Sequence, residues 1–294
     1  RPRRPMTHRR AVLILLGCTF VWGASFTLNK MVLDRATPLL YMSLRFGCAA
    51  ALLTLVYRRT RRDDWRVGIP LGALFAAQLA FFVFGLSRID PGRAAFLFSF
   101  QTPLVPVLML AAHRQRPTRR DLLAVGLATL GAWWLTRPGG SGAGFGLGDV
   151  AMLASAVGAA CYVVVAGAVT GRHEPLPLLA VQFIAMTVLG GVASMVLETP
   201  RIEWSPVTVI LIPFLALSSV ATFGGQLVGQ KLVRPTEASV LYALEPLVAA
   251  ATAWISLGDR LAPTQWLGGF TILAASLIAS IRKAPAVPPA SPAV

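Results

Sequence analysis

Ten apolar stretches, joined by connections too short to hold a soluble domain, restrict this chain to a helical membrane fold. They fall at about 11–33, 38–57, 67–87, 92–112, 121–136, 147–170, 176–197, 206–230, 236–257 and 263–281. A helix crossing a bilayer needs about 20 mostly apolar residues, and several of these runs reach that length. Composition agrees. Of 294 residues 55% are hydrophobic and 13% charged, against about 45–50% and about 25% in a soluble domain; mean hydropathy is +0.67. The expected fold is an all-α integral membrane protein with ten transmembrane helices.

A net charge of +15 would point to nucleic acid in a soluble chain. Here the basic residues gather between apolar runs, as in Arg58-Arg59-Thr60-Arg61-Arg62 and Arg114 to Arg120. With the N-terminus placed in the cytoplasm, the richest clusters all face that side, so charge records topology and no nucleic-acid partner is expected. Both termini are then cytoplasmic. The first apolar run carries Trp22, Asn29 and Lys30 and has no small-residue cleavage site, so it reads as a retained span. Cys18, Cys48 and Cys161 sit in apolar runs without metal-ligand spacing, and His8, His113 and His173 stand singly in polar connections. No metal or cofactor is expected. Residues 282–294, rich in Pro and Ala, read as a disordered cytoplasmic tail.

The chain also reads as two copies of one five-span unit. Pro38 to Phe46, with Arg45, matches Pro175 to Phe183, with Gln182, at an offset of 137; Thr102-Pro103-Leu104-Val105 matches Glu245-Pro246-Leu247-Val248 at an offset of 143. The units run over 11–136 and 147–281, joined by a glycine-rich linker at 137–146. Five is odd, so the second copy enters from the opposite side, giving inverted repeats. Matched prolines, Pro103 and Pro246, predict helix breaks in spans 4 and 9 that serve as hinges.

The residues Val21-Trp22-Gly23-Ala24-Ser25-Phe26, Leu44-Arg45-Phe46, Thr236 to Pro246, Gly258-Asp259-Arg260 and Gln265-Trp266-Leu267-Gly268-Gly269 resemble the EamA-type transporters of the drug/metabolite transporter superfamily. The likeness covers about 11–281, and its most specific part is the block from span 9 through span 10. Gly258-Asp259 stands where the family pattern usually has Gly-Glu. The resemblance implies ten helices, inverted repeats and a central cavity for small polar or amphipathic metabolites. It also implies export of amino acids, metabolites or drugs in most members, and it names no substrate.

Glu245 is a carboxylate about 14 Å into its span at 1.5 Å per residue, and an acid there is a functional-site candidate. One reading gives it proton coupling or recognition of a substrate cation. The other has it capping backbone amides near Pro246 or pairing with Arg45. Arg45 likewise reads either as a helix–helix partner or as a bidentate ligand for a substrate carboxylate. Trp22, Phe26 and Asn29 share one face of span 1 at i, i+4, i+7, and Thr222, Gln226 and Gln230 form a row on span 8. Either row can line a cavity or pack between helices. Gln78 and Phe82 in span 3, Ser99 and Gln101 in span 4, Tyr162 in span 6 and Tyr242 in span 9 complete the substrate-binding candidates.

The expected function is therefore a secondary active transporter in a bacterial inner membrane, with no enzymatic role. Its partners are a small-molecule substrate, the lipid bilayer, protons as a candidate coupling ion and a second copy as a candidate dimer partner. A passive facilitator or channel, and a drug exporter, are the alternatives.

Overall fold

The computed structural model describes residues 7–56, 60–112, 118–135, 145–169, 173–229, 233, 241–242 and 244–280. The linker at 137–146, apart from Phe145 and Gly146, lies outside the described residues, as do the tail at 282–294 and Gln230. Eleven helices are present among the described residues: α1 His8–Leu33, α2 Pro38–Val56, α3 Arg62–Leu86, α4 Pro91–Phe98, α5 Gln101–Ala112, α6 Arg119–Leu135, α7 Leu147–Val169, α8 Pro175–Leu197, α9 Pro206–Gly229, α10 Glu245–Leu257 and α11 Pro263–Ser280. Six of them, α1, α2, α3, α7, α8 and α9, are long and apolar enough to cross a membrane. The chain is all-helical and multi-pass.

The helices pack in pairs that are distant in sequence: α2 on α8, α6 on α11, α1 on α9 and α10, and α3 on α7 and α8. In lipid no hydrophobic drive holds helices together, so close backbone approach matters. The α6–α11 crossing shows this. A Cβ added at Gly268 would lie 2.5 Å from both the Gly131 carbonyl oxygen and the Leu135 amide, and one added at Gly131 would lie 2.7 Å from the Gly268 oxygen.

Short connections are stapled by backbone groups. Residues Ala36 and Ile202 form an isolated antiparallel bridge, with Thr37 N–H donating to the Arg201 carbonyl at 2.9 Å and Glu203 N–H to Arg35 at 2.8 Å. Helix α2 starts at Pro38, whose ring needs no donor at a first position. Its next amides, Leu39 and Leu40, donate to the Glu198 carboxylate at 3.3 and 2.9 Å, so the end of α8 caps α2.

Two polar side-chain pairs join segments distant in sequence. Arg93 on α4 meets Asp149 on α7 through Nε–Oδ1 at 2.7 Å and Nη2–Oδ2 at 2.9 Å, with both side chains buried. His173 Nδ1 lies 2.9 Å from Asp64 Oδ1. The sequence had shown His173 as solitary; the fold brings Asp64, 109 residues away, beside it.

Span 4 is interrupted, and the interruption precedes its proline. Helix α4 ends at Phe98, Ser99 and Phe100 form a turn, and α5 starts at Gln101, with Pro103 in its first turn. Pro246 likewise sits in the first turn of α10, after Leu244. A first-turn proline loses no intrahelical donor, so each proline marks the restart of a helix and the break lies just before it. Pro70 and Pro213 lie inside α3 and α9, and they too are 143 residues apart.

Candidate functional site

The inward face of α1 organises the centre of the protein. Trp22 donates its indole N–H to Thr222 Oγ1 on α9 at 2.9 Å, and the Thr222 hydroxyl donates in turn to the Ser218 carbonyl at 2.8 Å. The Trp22 ring stands edge-on to Tyr242 at 5.5 Å and near Phe223 at 6.1 Å. The expected rows on spans 1 and 8 thus meet each other. Gln226, one turn beyond Thr222, is half-buried.

One turn along α1, Phe26 packs on Phe82 of α3 at 5.1 Å and Phe98 of α4 at 6.2 Å, with Phe82 and Phe98 5.3 Å apart. A second aromatic line runs from Phe223 through Phe75 to Tyr162, with centroids 5.6 and 4.6 Å apart. Phe75 and Phe223 were missed in the sequence. Phe75 shares the face of Gln78 and Phe82 at i, i+3, i+7, which was the available signal; Phe223 follows Thr222 but carries no polar mark.

Asn29, fully buried, is the hub of a polar cluster. Its Nδ2 donates to the Ser25 carbonyl at 2.6 Å. Its Oδ1 accepts from Arg45 Nη1 at 2.7 Å and from the Tyr41 hydroxyl. Arg45 also donates to Ser219 Oγ of α9, from Nη2 at 2.9 Å and Nε at 3.2 Å. Gln78 donates to Ser155 Oγ at 2.8 Å, joining α3 to α7. Tyr162 donates to Gln182 Oε1 at 2.6 Å, joining α7 to α8. An amide or hydroxyl buried in lipid needs such a partner. Through these bonds Asn29, Gln78, Thr222 and Tyr162 each tie their helix to a neighbouring one.

The break in span 4 carries Ser99, which donates to the Ala95 carbonyl at 2.9 Å, and Gln101, the half-buried first residue of α5. Glu245 opens α10 in the corresponding place and is half-buried by surface area. Its carboxylate has no hydrogen bond and no ion pair among the described residues, so neither the Arg45 pair nor the backbone cap considered from sequence forms. The backbone around it is tightly seated: a Cβ added at Gly23 would lie 2.7 Å from the Glu245 carbonyl oxygen and 2.6 Å from Val248 Cβ. Gly23 is thus the residue that lets α1 reach the break at Glu245.

Outside the membrane, burial and the nearby Asp90 and Asp34 push the Asp259 carboxyl above its usual range, with Lys30 opposing them. Gly258 before it is left-handed at φ 74° and closes α10.

Comparison with known proteins finds a shared fold and a shared family. A solved crystal structure superposes with a TM-score of 0.65 at 17% identity, covering 93% of this chain and 97% of the other. A protein of Escherichia coli (strain K12) named a probable amino-acid metabolite efflux pump is 25% identical over 287 residues, 91% of this chain and 93% of its own. An S-adenosylmethionine/S-adenosylhomocysteine transporter of Chlamydia trachomatis serovar L2 is 24% identical over 293 residues, 91% of this chain and 88% of its own. An uncharacterized transporter of Archaeoglobus fulgidus is 26% identical over 265 residues, 89% of this chain and 83% of its own. The EamA-like transporter family model matches twice, over residues 9–137 and 146–281. The chain belongs to the EamA-like transporter family.

Proposed function

We propose that this protein is a secondary active transporter that exports a small metabolite or amino acid across a bacterial inner membrane by alternating access. Both termini lie in the cytoplasm in this reading. The observation that carries it is the pair of helix restarts at matched places in the two halves, Gln101–Pro103 and Glu245–Pro246. Interrupted helices facing a central site are how carriers combine a binding site with a hinge.

Ten spanning segments in two inverted repeats, 11–136 and 147–281, are the architecture we assign. The packing partners support it. Exchanging the halves turns α1 on α9 into α7 on α3, and leaves α2 on α8 and α6 on α11 as they are. Two separate matches to one family model support it as well. In this architecture Trp22, Phe26 and Tyr242, with Gln101 and Gln226, line the substrate path, and Glu245 takes up a proton or a substrate cation. Asn29, Gln78, Phe82, Ser99, Tyr162 and Thr222 shape the same wall.

The names of the relatives direct the substrate search to amino-acid metabolites and S-adenosylmethionine. Counterflow in proteoliposomes tests the reading. Vesicles preloaded with unlabelled solute take up the labelled form transiently above equilibrium, with saturation, if the protein is a carrier. Linear, unsaturable flux without overshoot identifies a channel and overturns alternating access.

A further inference from the structure

Arg45 carries a positive charge inside the helix bundle with no acid paired to it among the described residues. It lies seven residues past Pro38 on α2, about 10 Å along the helix at 1.5 Å per residue. No carboxylate lies within 4.0 Å of its guanidinium among the described residues. Its acceptors are neutral: Asn29 Oδ1, Ser219 Oγ and, at 3.4 Å, the Tyr41 hydroxyl. The Phe46 ring centroid is 5.3 Å away. Glu245 does not supply the missing charge. Its backbone carbonyl lies against Gly23 of α1, while the Arg45 guanidinium is tied to Asn29, six residues further on, about 9 Å along that helix; no ion pair joins the two side chains.

The group is held as a binding group would be. Asn29 is anchored to the Ser25 carbonyl and Ser219 to the Leu215 carbonyl at 2.7 Å, so both acceptors are fixed before they orient the guanidinium. Asn29, Tyr41 and Ser219 are buried, yet Arg45 keeps part of its surface accessible. A guanidinium has five N–H donors. Nε and one N–H of Nη2 are taken by Ser219. One N–H of Nη1 is taken by Asn29, and the other reaches Tyr41 only at 3.4 Å. One N–H of Nη2 has no acceptor among the described residues. Packing alone does not require the charge. At the repeat-equivalent place Gln182 meets its neighbour Tyr162 through a neutral amide. A buried cation without a counter-ion is costly, and an oxyanion arriving from outside relieves that cost.

We propose that Arg45, positioned by Asn29 and Ser219, is the anion-recognising end of the substrate site and binds a carboxylate of the transported molecule. This rests on the transport reading above and narrows its substrate class to carboxylate-bearing solutes, amino acids among them.

The test uses the full chain, purified in detergent and freed of lipid. Thermal shifts are recorded with methionine, phenylalanine, lysine and S-adenosylmethionine, each beside its carboxamide. The expected result is stabilisation by at least one acid and not by its amide, with binding weakened at least about tenfold in Arg45→Gln and partly retained in Arg45→Lys. The acid–amide comparison needs no variant, so it holds even if Arg45→Gln fails to fold. Equal stabilisation by acid and amide, or an acid shift unchanged in Arg45→Gln, overturns the proposal. So does the absence of any acid shift. Stabilisation by phosphatidylglycerol alone, lost in Arg45→Gln, assigns the charge to a lipid phosphate and also overturns it. Counterflow of a neutral solute with no acid binding leaves the transport reading standing and removes this one; Arg45-dependent acid binding without counterflow removes the transport reading and leaves Arg45 a carboxylate site without a transport role.

Discussion

The guanidinium of Arg45 and the carboxylate of Glu245 form no ion pair: Arg45 is tied to Asn29 at 2.7 Å, while Glu245 sits against Gly23 at the head of α10. Two independent charges predict independent energetics. In a double-mutant cycle with Arg45→Gln and Glu245→Gln, the effects on thermal stability add to within about 0.5 kcal/mol. A coupling of several kcal/mol, measured by unfolding in detergent, would place the two groups in contact.

The Arg93–Asp149 pair should behave in the opposite way. Both side chains are nearly inaccessible, at 3% and 1%, and Asp149 also accepts from Gly146 N–H at 2.9 Å. Asp149→Asn leaves a buried guanidinium without its counter-ion and should cost about 3–5 kcal/mol. Replacing both residues by apolar ones of similar size should cost clearly less than the single change. Equal losses in the single and double variants would contradict a charge-specific role.

The α6–α11 crossing depends on missing side chains. Gly268→Ala puts a methyl 2.5 Å from backbone atoms of Gly131 and Leu135, which cannot rotate away. The expected loss is about 1–3 kcal/mol, read as a lower midpoint of thermal unfolding. Gly126→Ala, on the partner helix α6, meets nothing within 4 Å and serves as the control with no packing loss.

Asp259 gives a pH signature just past the C-terminal end of α10. Its folded carboxyl is raised above the ordinary value of 3.8, first by burial and then by Asp90. Folding therefore favours the protonated form. The penalty is absent below about pH 3.8, grows as pH rises through the folded value and is complete above it. Asp259→Asn should raise the unfolding midpoint at pH 7 and lose that advantage as pH falls towards 4. An advantage independent of pH would contradict this assignment.

Much of the fold was legible because lipid imposes it. Every apolar stretch read from the sequence contains a helix, since a chain in hydrocarbon must satisfy its backbone internally. The breaks before Pro103 and Pro246 were legible to within a turn, and the proline pair Pro70 and Pro213 was open to the same reading. The partners of the polar residues were not. Periodicity shows that Trp22 and Asn29 share a face; it does not show that Thr222, 200 residues away, accepts from Trp22, or that Asn29 holds Arg45. The Arg93–Asp149 pair and the Glu198 cap on α2 were hidden for the same reason, because each joins elements that meet only in three dimensions. Glu245 was legible as a candidate, and what the fold adds is that its carboxylate has no hydrogen-bond or ion-pair partner among the described residues.

Two equivalent helix restarts, only one of which bears a titratable side chain, form the centre of the account. The direct test is solute accumulation in proteoliposomes under an imposed pH gradient, comparing the natural protein with Glu245→Gln. The account predicts that Glu245→Gln keeps saturable counterflow and loses gradient-driven accumulation by at least about tenfold, the loss of a proton-transfer group from the cycle. Accumulation with an unchanged pH response in Glu245→Gln would contradict it.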